Sequence, residues 1–350
     1  MRFSRALGAF RFQGRISFKQ LEYLDCMVVC RVSLFSPSAA SDSGGGGPAP
    51  RCHHGVTVAD GKMYIVGGED GEGVFDDVWV FDLSTSSWQE IVPVNPHDFS
   101  GRQGCTCCVV DNKLFVIGGG DLLTNHIGAV LDLESLQWTD LRLHGVLGHK
   151  PDGRQHHASA VVSGCIVVHG GFNGIQHLGD TWLLDARSFT WRQLHKSDPA
   201  PASSNHTLVL LDDRTLLRIG GEASSHATTV VSHPVIIDIR DEGSWASRSI
   251  SGLPPQPVCD CSGGWLTAAD GTKLLCLFGG WGEGAAACRC IIVDPTSWAA
   301  ADAAVKSAPH LEVSRLGAGA LQQAGDHVIV FGGWDGMFQW MSSLLSIKLF

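Results

Sequence analysis

Four kinds of side chain recur in this chain at positions where they could do chemistry. Arginines stand at Arg51, Arg102, Arg154 and Arg315, and large aromatics at Phe172, Trp281 and Trp334. Arg with Trp is the mixture that dominates interface hot spots, so these seven residues are the candidate partner-binding set. Histidine pairs follow two of the arginines, His53-His54 and His156-His157, with His206 close by. Imidazole suits zinc, copper and iron. The set is incomplete, because Gln103-Gly104, Gly263-Gly264 and Leu316-Gly317 stand at the matching places. Cysteines cluster as Cys105, Cys107 and Cys108, as Cys259 and Cys261, and as Cys288 and Cys290, without the C-x2-C spacing of a zinc site. No metal and no cofactor are therefore expected. The histidines are expected to bond strand ends, and the cysteines to pack inside strands as small hydrophobes.

The elements that would position these residues repeat. Glycine pairs fall at Gly67-Gly68, Gly118-Gly119, Gly170-Gly171, Gly220-Gly221, Gly279-Gly280 and Gly332-Gly333, spaced 51, 52, 50, 59 and 53 residues apart. An apolar strand precedes each pair: MYIV, LFVI, IVVH, LLRI, LLCLF and VIVF. In the first five units a second apolar run ends in an acid (Asp82, Asp132, Asp185, Asp238, Asp294), followed by a tryptophan (Trp88, Trp138, Trp191, Trp245, Trp298). One unit of this kind cannot bury its own faces. A period near 50 residues made of strands alone predicts radial packing of four-stranded antiparallel blades. The glycine pairs predict a close approach of backbones, and the tryptophans predict apolar area between sheets.

With its glycine pairs, its Asp70-Gly71, Asn173-Gly174 and Asp335-Gly336 turns and its spaced tryptophans, the chain from residue 51 to 350 resembles the kelch family. The resemblance implies an all-β, six-bladed β-propeller. It also implies that peptide carboxylates meet arginines at the start of the innermost strand, and that aromatics after the glycine pair line the rim. Arg51, Arg102, Arg154 and Arg315 match the first position; Phe172, Trp281 and Trp334 match the second. Asn205 is read as the start of the fourth unit. The face carrying the d–a and b–c loops, with strands lettered outward from the axis, is then the binding face for a peptide or protein partner of acidic character. The structural alternative is that each arginine caps neighbouring carbonyls or pairs with a turn acid.

The sixth unit ends before its tryptophan-bearing strand. An open blade edge invites aggregation, so a strand from the other terminus is expected to complete the blade. Carrying the repeat spacing back from Arg51 points to residues 31–35 for that strand. The expected organisation is an N-terminal extension over 1–36, a Ser/Gly/Pro linker over 37–50 and the propeller over 51–350.

A formal net charge of −10 argues against a general nucleic-acid surface. No apolar stretch is long enough for a membrane helix. Twelve irregularly placed cysteines in a long chain fit a reducing compartment, so a cytoplasmic or nuclear location is expected. Residues 1–20, basic and without acids, resemble an organelle transit peptide; the alternative is a disordered basic arm. The expected function is a non-catalytic interaction module, the substrate-recognition part of a ubiquitin ligase or a scaffold. The alternative is a kelch-propeller enzyme or metal-binding protein of the oxidase, mutarotase or specifier type. Against it, the chain has only Tyr23 and Tyr64, and no nucleophile elbow or phosphate loop.

Overall fold

The computed structural model describes residues 29–34, 46–120, 127–141, 150–194, 199–223, 234–240, 244–251, 259–267, 271, 273–281, 290–307, 320–324, 327–332 and 344–349. Strand β1 (Val29–Leu34) precedes the repeats. The first blade is β2 (Gly55–Ala59), β3 (Lys62–Val66), β4 (Val78–Asp82) and β5 (Ser87–Ile91). The second is β6 (Thr106–Val110), β7 (Lys113–Ile117), β8 (Gly128–Asp132) and β9 (Trp138–Asp140). The third is β10 (Ala158–Val162), β11 (Cys165–His169), β12 (Thr181–Asp185) and β13 (Thr190–Leu194). The fourth is β14 (Thr207–Leu210), β15 (Thr215–Ile219), β16 (Val235–Asp238) and β17 (Ser244–Ser247). Then come β18 (Cys259–Thr267), β19 (Lys273–Trp281), β20 (Cys290–Asp294) and β21 (Ala299–Ser307), followed by β22 (Ala320–Ala324), β23 (His327–Phe331) and β24 (Leu344–Leu349).

These strands form five sheets rather than six separate blades. Four sheets are four-stranded antiparallel blades in chain order. The fifth has eight strands, ordered β18-β19-β20-β21-β1-β24-β23-β22, so the fifth and sixth repeats share one sheet. The cause is the length of β21. Its residues 299–303 pair antiparallel with β20, while residues 304–307 run on to pair in parallel with β1. Strand β1 also pairs antiparallel with β24, from Cys30↔Leu349 to Leu34↔Leu345. It thus fills the outer position beside β24, beginning two residues before the span that the repeat spacing predicts.

The inner strands β2, β6, β10, β14, β18 and β22 touch in that order, and β22 returns to β2 to close a ring. They surround an axial cavity of about 500 Å³, lined by β2, β6, β10, β14 and β18. The second strands are mostly apolar because both faces are covered by neighbouring blades, with His169 and Arg218 as buried polar exceptions. Met63 to Val66, Leu114 to Ile117 and Ile166 to His169 are all buried. The tryptophans sit between sheets as expected: Trp138 stacks on Phe99 at 4.2 Å and packs with side chains of the first two blades, and Trp88 lies against Phe81 and Phe331. The acids ending the third strands hold the outer turns. Asp82 accepts from the amides of Ser84 and Thr85, and Asp185 from those of Arg187 and Ser188.

Two features bind blade to blade. The first glycine of each pair has positive φ, and a Cβ on Gly67, Gly118 or Gly170 would lie 2.4, 2.4 or 2.5 Å from the carbonyl oxygen of Arg102, Arg154 or Ser203 in the next blade. The second glycine donates its amide to that same oxygen, at 2.7 to 2.8 Å. No side chain fits this junction. The second feature is a backbone chain around the axial mouth. His53, Gly104, His156 and Asn205 all adopt left-handed φ, and the last three each donate an amide at 2.8 Å to the carbonyl of the one before: Gly104 to His53, His156 to Gly104, Asn205 to His156. Left-handed geometry explains why Gly and Asn replace histidine there.

The next residue in each blade, His54, Cys105, His157 or His206, is buried between blades. His157 Nε2 lies 2.9 Å from Thr106 Oγ1 of the preceding blade. Burial, with Arg154 next in importance, holds His157 neutral far below the ordinary histidine range; burial, then His169, does the same for His206. A depressed histidine pKa costs nothing above the unfolded value near 6.5. Below it the unfolded chain takes up protons that the fold refuses. Each histidine then removes up to about 1.4 kcal/mol per pH unit. Urea unfolding is expected to show about 3 kcal/mol less stability at pH 5 than at pH 7 from this pair. His157→Cys, which places the second blade's residue in the third, should remove roughly half of that dependence. A flat profile from pH 7 to 5 would contradict the assignment.

Candidate functional site

The loops joining successive blades and those joining second to third strands open on one end of the propeller, and the described site residues Arg51, Arg102, Arg154, Phe172 and Trp281 lie there. The described arginines turn inward. Arg51, Arg102 and Arg154 are 0, 2 and 2% exposed, which corrects the expectation that they face outward to meet a ligand. Arg51 forms a bidentate pair with Asp77 (2.6 and 2.8 Å) and donates to the Gly67 carbonyl at 2.9 Å. Arg154 repeats this with Asp180 (2.7 and 3.0 Å) and the Gly170 carbonyl at 3.0 Å. Trp79 and Trp182 donate their indole N–H to the same two aspartates. Arg102 donates to the Gly118 carbonyl at 3.2 Å and lies over the Phe99 ring; where the first and third blades have the aspartate, this one has Ile127. A planar, permanently charged fork that needs both an acid and a carbonyl in reach is well placed to fix the start of the inner strand to the b–c loop.

The fourth blade departs from this pattern, and its register corrects the reading of Asn205 as the arginine position. Asn205 holds the left-handed place of His53, and Ser203 stands where the arginine would, its hydroxyl 3.4 Å from the Gly220 carbonyl. The guanidinium comes instead from Arg218 on β15, which donates to the Pro201 carbonyl. Burial lowers its pKa to about 10, so it remains charged at neutral pH.

Phe172 is half-buried. It pairs in isolated bridges with Gln155 and His177, and its ring lies 5.2 Å from that of His177. Trp281 ends β19, its backbone opposite Cys259. Arg315 and Trp334 lie outside the described residues. Residues following the glycine pair occupy one ring position: Glu69, Phe172 and Glu222 bridge Cys52, Gln155 and Ser204. The acids at this mouth are held locally. Glu69 lies 2.8 Å from His53 Nδ1, and with its side-chain amide turned Gln103 donates to it as well; Asn205 Nδ2 donates to Glu222 at 2.8 Å.

Beyond the mouth, the b–c loops end in preformed turns. Asp70 Oδ1 accepts from the amides of Glu72 and Gly73, and Asn173 Oδ1 from those of Ile175 and Gln176. Those loops present Val74, 45% exposed, and Ile175, 88% exposed. Val92 and Val94, in the d–a connection after the first blade, are also exposed. Among the described residues, four of the five exposed large hydrophobics therefore lie in loops of this one end. Sequence reasoning missed them, because isolated valines and an isoleucine in loops carry no periodic signal. The partners Asp77 and Asp180 were equally silent.

Repeated four-stranded blades, glycine-pair junctions and a loop-bearing rim define a β-propeller built to display loops on a rigid ring. Residues 14–146 match the family described as KLHDC2/KLHL20/DRC7 Kelch-repeats domain, and residues 153–194 match the Kelch motif. The chain belongs to the kelch-repeat family. It is 29% identical over 254 residues to F-box/kelch-repeat protein At1g51550 of Arabidopsis thaliana, covering 67% of this chain and 52% of that protein. It is 30% identical over 154 residues to Kelch domain-containing protein 10 of Xenopus tropicalis, covering 42% of this chain and 37% of that protein. The structure titled "Structure of YjhT" has the same fold, with a TM-score of 0.65 and 14% sequence identity, covering 86% of this chain and 98% of that one. The chain spans about half the length of the first of these relatives. Among the described residues, no helix is long and apolar enough to cross a membrane.

Proposed function

We propose that this chain is a protein-recognition module whose partner docks on the end bearing the d–a and b–c loops. The observation that carries the reading is the gathering of exposed Val74, Val92, Val94 and Ile175 in those loops, two of them beside turns already fixed by side-chain hydrogen bonds. Loops on a rigid scaffold concentrate binding residues. Solvent-facing arginines would favour an acidic partner. With Arg51 and Arg154 paired to aspartates, apolar contact at the loop tips is the better-supported mode, with Phe172 beside it. The described arginines then contribute by holding those loops.

Substrate recognition for a ubiquitin ligase is the finer reading, and its support is the similarity to an F-box/kelch-repeat protein. A reducing compartment, cytoplasm or nucleus, suits the free thiols of Cys105, Cys107, Cys108 and Cys165. The test is affinity capture from cells with the full chain and with Val74→Asp/Ile175→Asp. The double variant is expected to weaken capture of its specific partners by about tenfold or more. Ser84→Glu/Ser188→Glu, on the turns of the opposite end, is expected to leave capture unchanged. Equal capture by the wild type and the Val74→Asp/Ile175→Asp variant would sink the proposal.

A further inference from the structure

The mouth of the axial cavity holds three metal-ligating groups of different chemistry in the first blade. Cys52 Sγ lies 3.2 Å from His53 Nδ1, His53 Nδ1 lies 2.8 Å from Glu69 Oε1, and the three donor atoms all fall within 4.8 Å of one another. The scaffold beneath them is stiff. Cys52 and Glu69 face each other in an antiparallel bridge, exchanging both backbone hydrogen bonds at 3.0 Å. His53 is tied into the backbone chain around the mouth through its carbonyl. Cys52 is buried while the side chains of His53 and Glu69 remain about a quarter exposed, which leaves a path from solvent. The His156 ring stands edge-on to that of His53 at 4.9 Å.

We propose that Cys52, His53 and Glu69 form a divalent transition-metal site of the zinc type, with the fourth position open to water or to a ligand. Thiolate, imidazole and carboxylate are the donors that Zn²⁺ takes, and three protein ligands with one open position is the arrangement of sites that bind or activate a further molecule. Tetrahedral bonds of about 2.0 to 2.3 Å place such donors roughly 3.3 to 3.7 Å apart, so a small opening of the His53–Glu69 contact admits the ion. Binding takes Cys52 as the thiolate and His53 as the neutral imidazole with its proton on Nε2, so the thiol proton is released.

The fourth blade supplies an internal control. There Ser204, Asn205 and Glu222 occupy the same three places, with the same bridge (2.9 Å in both directions) and Asn205 bonded to Glu222 at 2.8 Å. That trio keeps the geometry with weaker donor types. The double variant Cys52→Ser/His53→Asn writes the fourth blade's trio into the first, and is therefore expected to fold.

The experiment is titration of the full chain, reduced and freed of metal, with Co²⁺ followed by absorption, then displacement by Zn²⁺. Expected are a thiolate-to-cobalt charge-transfer band saturating at one equivalent, its loss on adding Zn²⁺, and binding weakened by about 100-fold or more in Cys52→Ser/His53→Asn, at least the cost of losing a supporting contact. Circular dichroism and thermal melting of the variant verify its fold. Should it fail to fold, Glu69→Gln, which keeps a hydrogen-bonding oxygen, is read in its place with the same expected direction. Absence of the thiolate band, or a titration unchanged by the variant, overturns the proposal. Neither result bears on partner capture by the Val74 and Ile175 loops.

Discussion

Deleting residues 1–36 is expected to lower stability by about 5 kcal/mol or to prevent folding, because it strips β1 from a position where it pairs on both sides. Five registered residue pairs join β1 to β24, and four join it to β21. With a net backbone hydrogen bond at about 1 kcal/mol, losing these ladders removes a share comparable to the whole stability of an ordinary domain. It also leaves β24 as an open edge, which pairs with other chains. Val32→Pro in the full chain isolates the pairing itself. Val32 faces Ile347 on one side and Ser307 on the other, and proline removes the amide and fixes φ. The check is the melting temperature and the urea midpoint of both proteins. Melting unchanged from the intact chain in either one would mean that β1 does not hold the ring.

Replacing Arg154 by alanine is expected to cost about 3 kcal/mol, the low end for breaking a buried pair because Asp180 keeps a fifth of its side chain in solvent. The loss has four parts: two bonds to Asp180, one to the Gly170 carbonyl, one to the Asp152 carbonyl, and the desolvated carboxylate left against the Trp182 indole. Arg154→Ala/Asp180→Ala should cost less than the sum of the two single changes, since the second removes the stranded charge. Equilibrium urea unfolding at pH 7 reads all three. A change in Arg154→Ala within about 0.5 kcal/mol, as at an unconstrained surface site, would return the arginine to the role of a ligand-facing group.

Blade architecture was legible because it is written locally. The apolar run before Gly170-Gly171, the Asn173-Gly174 turn and the acid at Asp185 each act within a few residues, and repetition turned a weak signal into a fold. The need for β1 was legible too, since a repeat that stops short leaves an edge that sheet chemistry does not tolerate. Sharing of one sheet by the last two repeats was not, because it depends on β21 continuing past its own blade to meet a strand some 270 residues earlier in the chain.

The same line runs through the candidate site. Repeat position identifies the arginines at the strand starts but not that Arg51, Arg102 and Arg154 turn inward. Whether a guanidinium points to solvent or to Asp180, 26 residues on, is decided by how the b–c loop folds back over it. Cys52, His53 and Glu69 illustrate the same point. Sixteen residues separate the histidine from the glutamate, and only the bridge between Cys52 and Glu69 brings the three donors together. By itself the sequence determined the kelch repeat, its strands, its glycine junctions and the loops that share an end, all consequences of short-range pattern. Tertiary structure alone decided which side chains those loops expose, which charges they bury and how many separate sheets the repeats form, because each depends on contacts between residues that no local pattern relates.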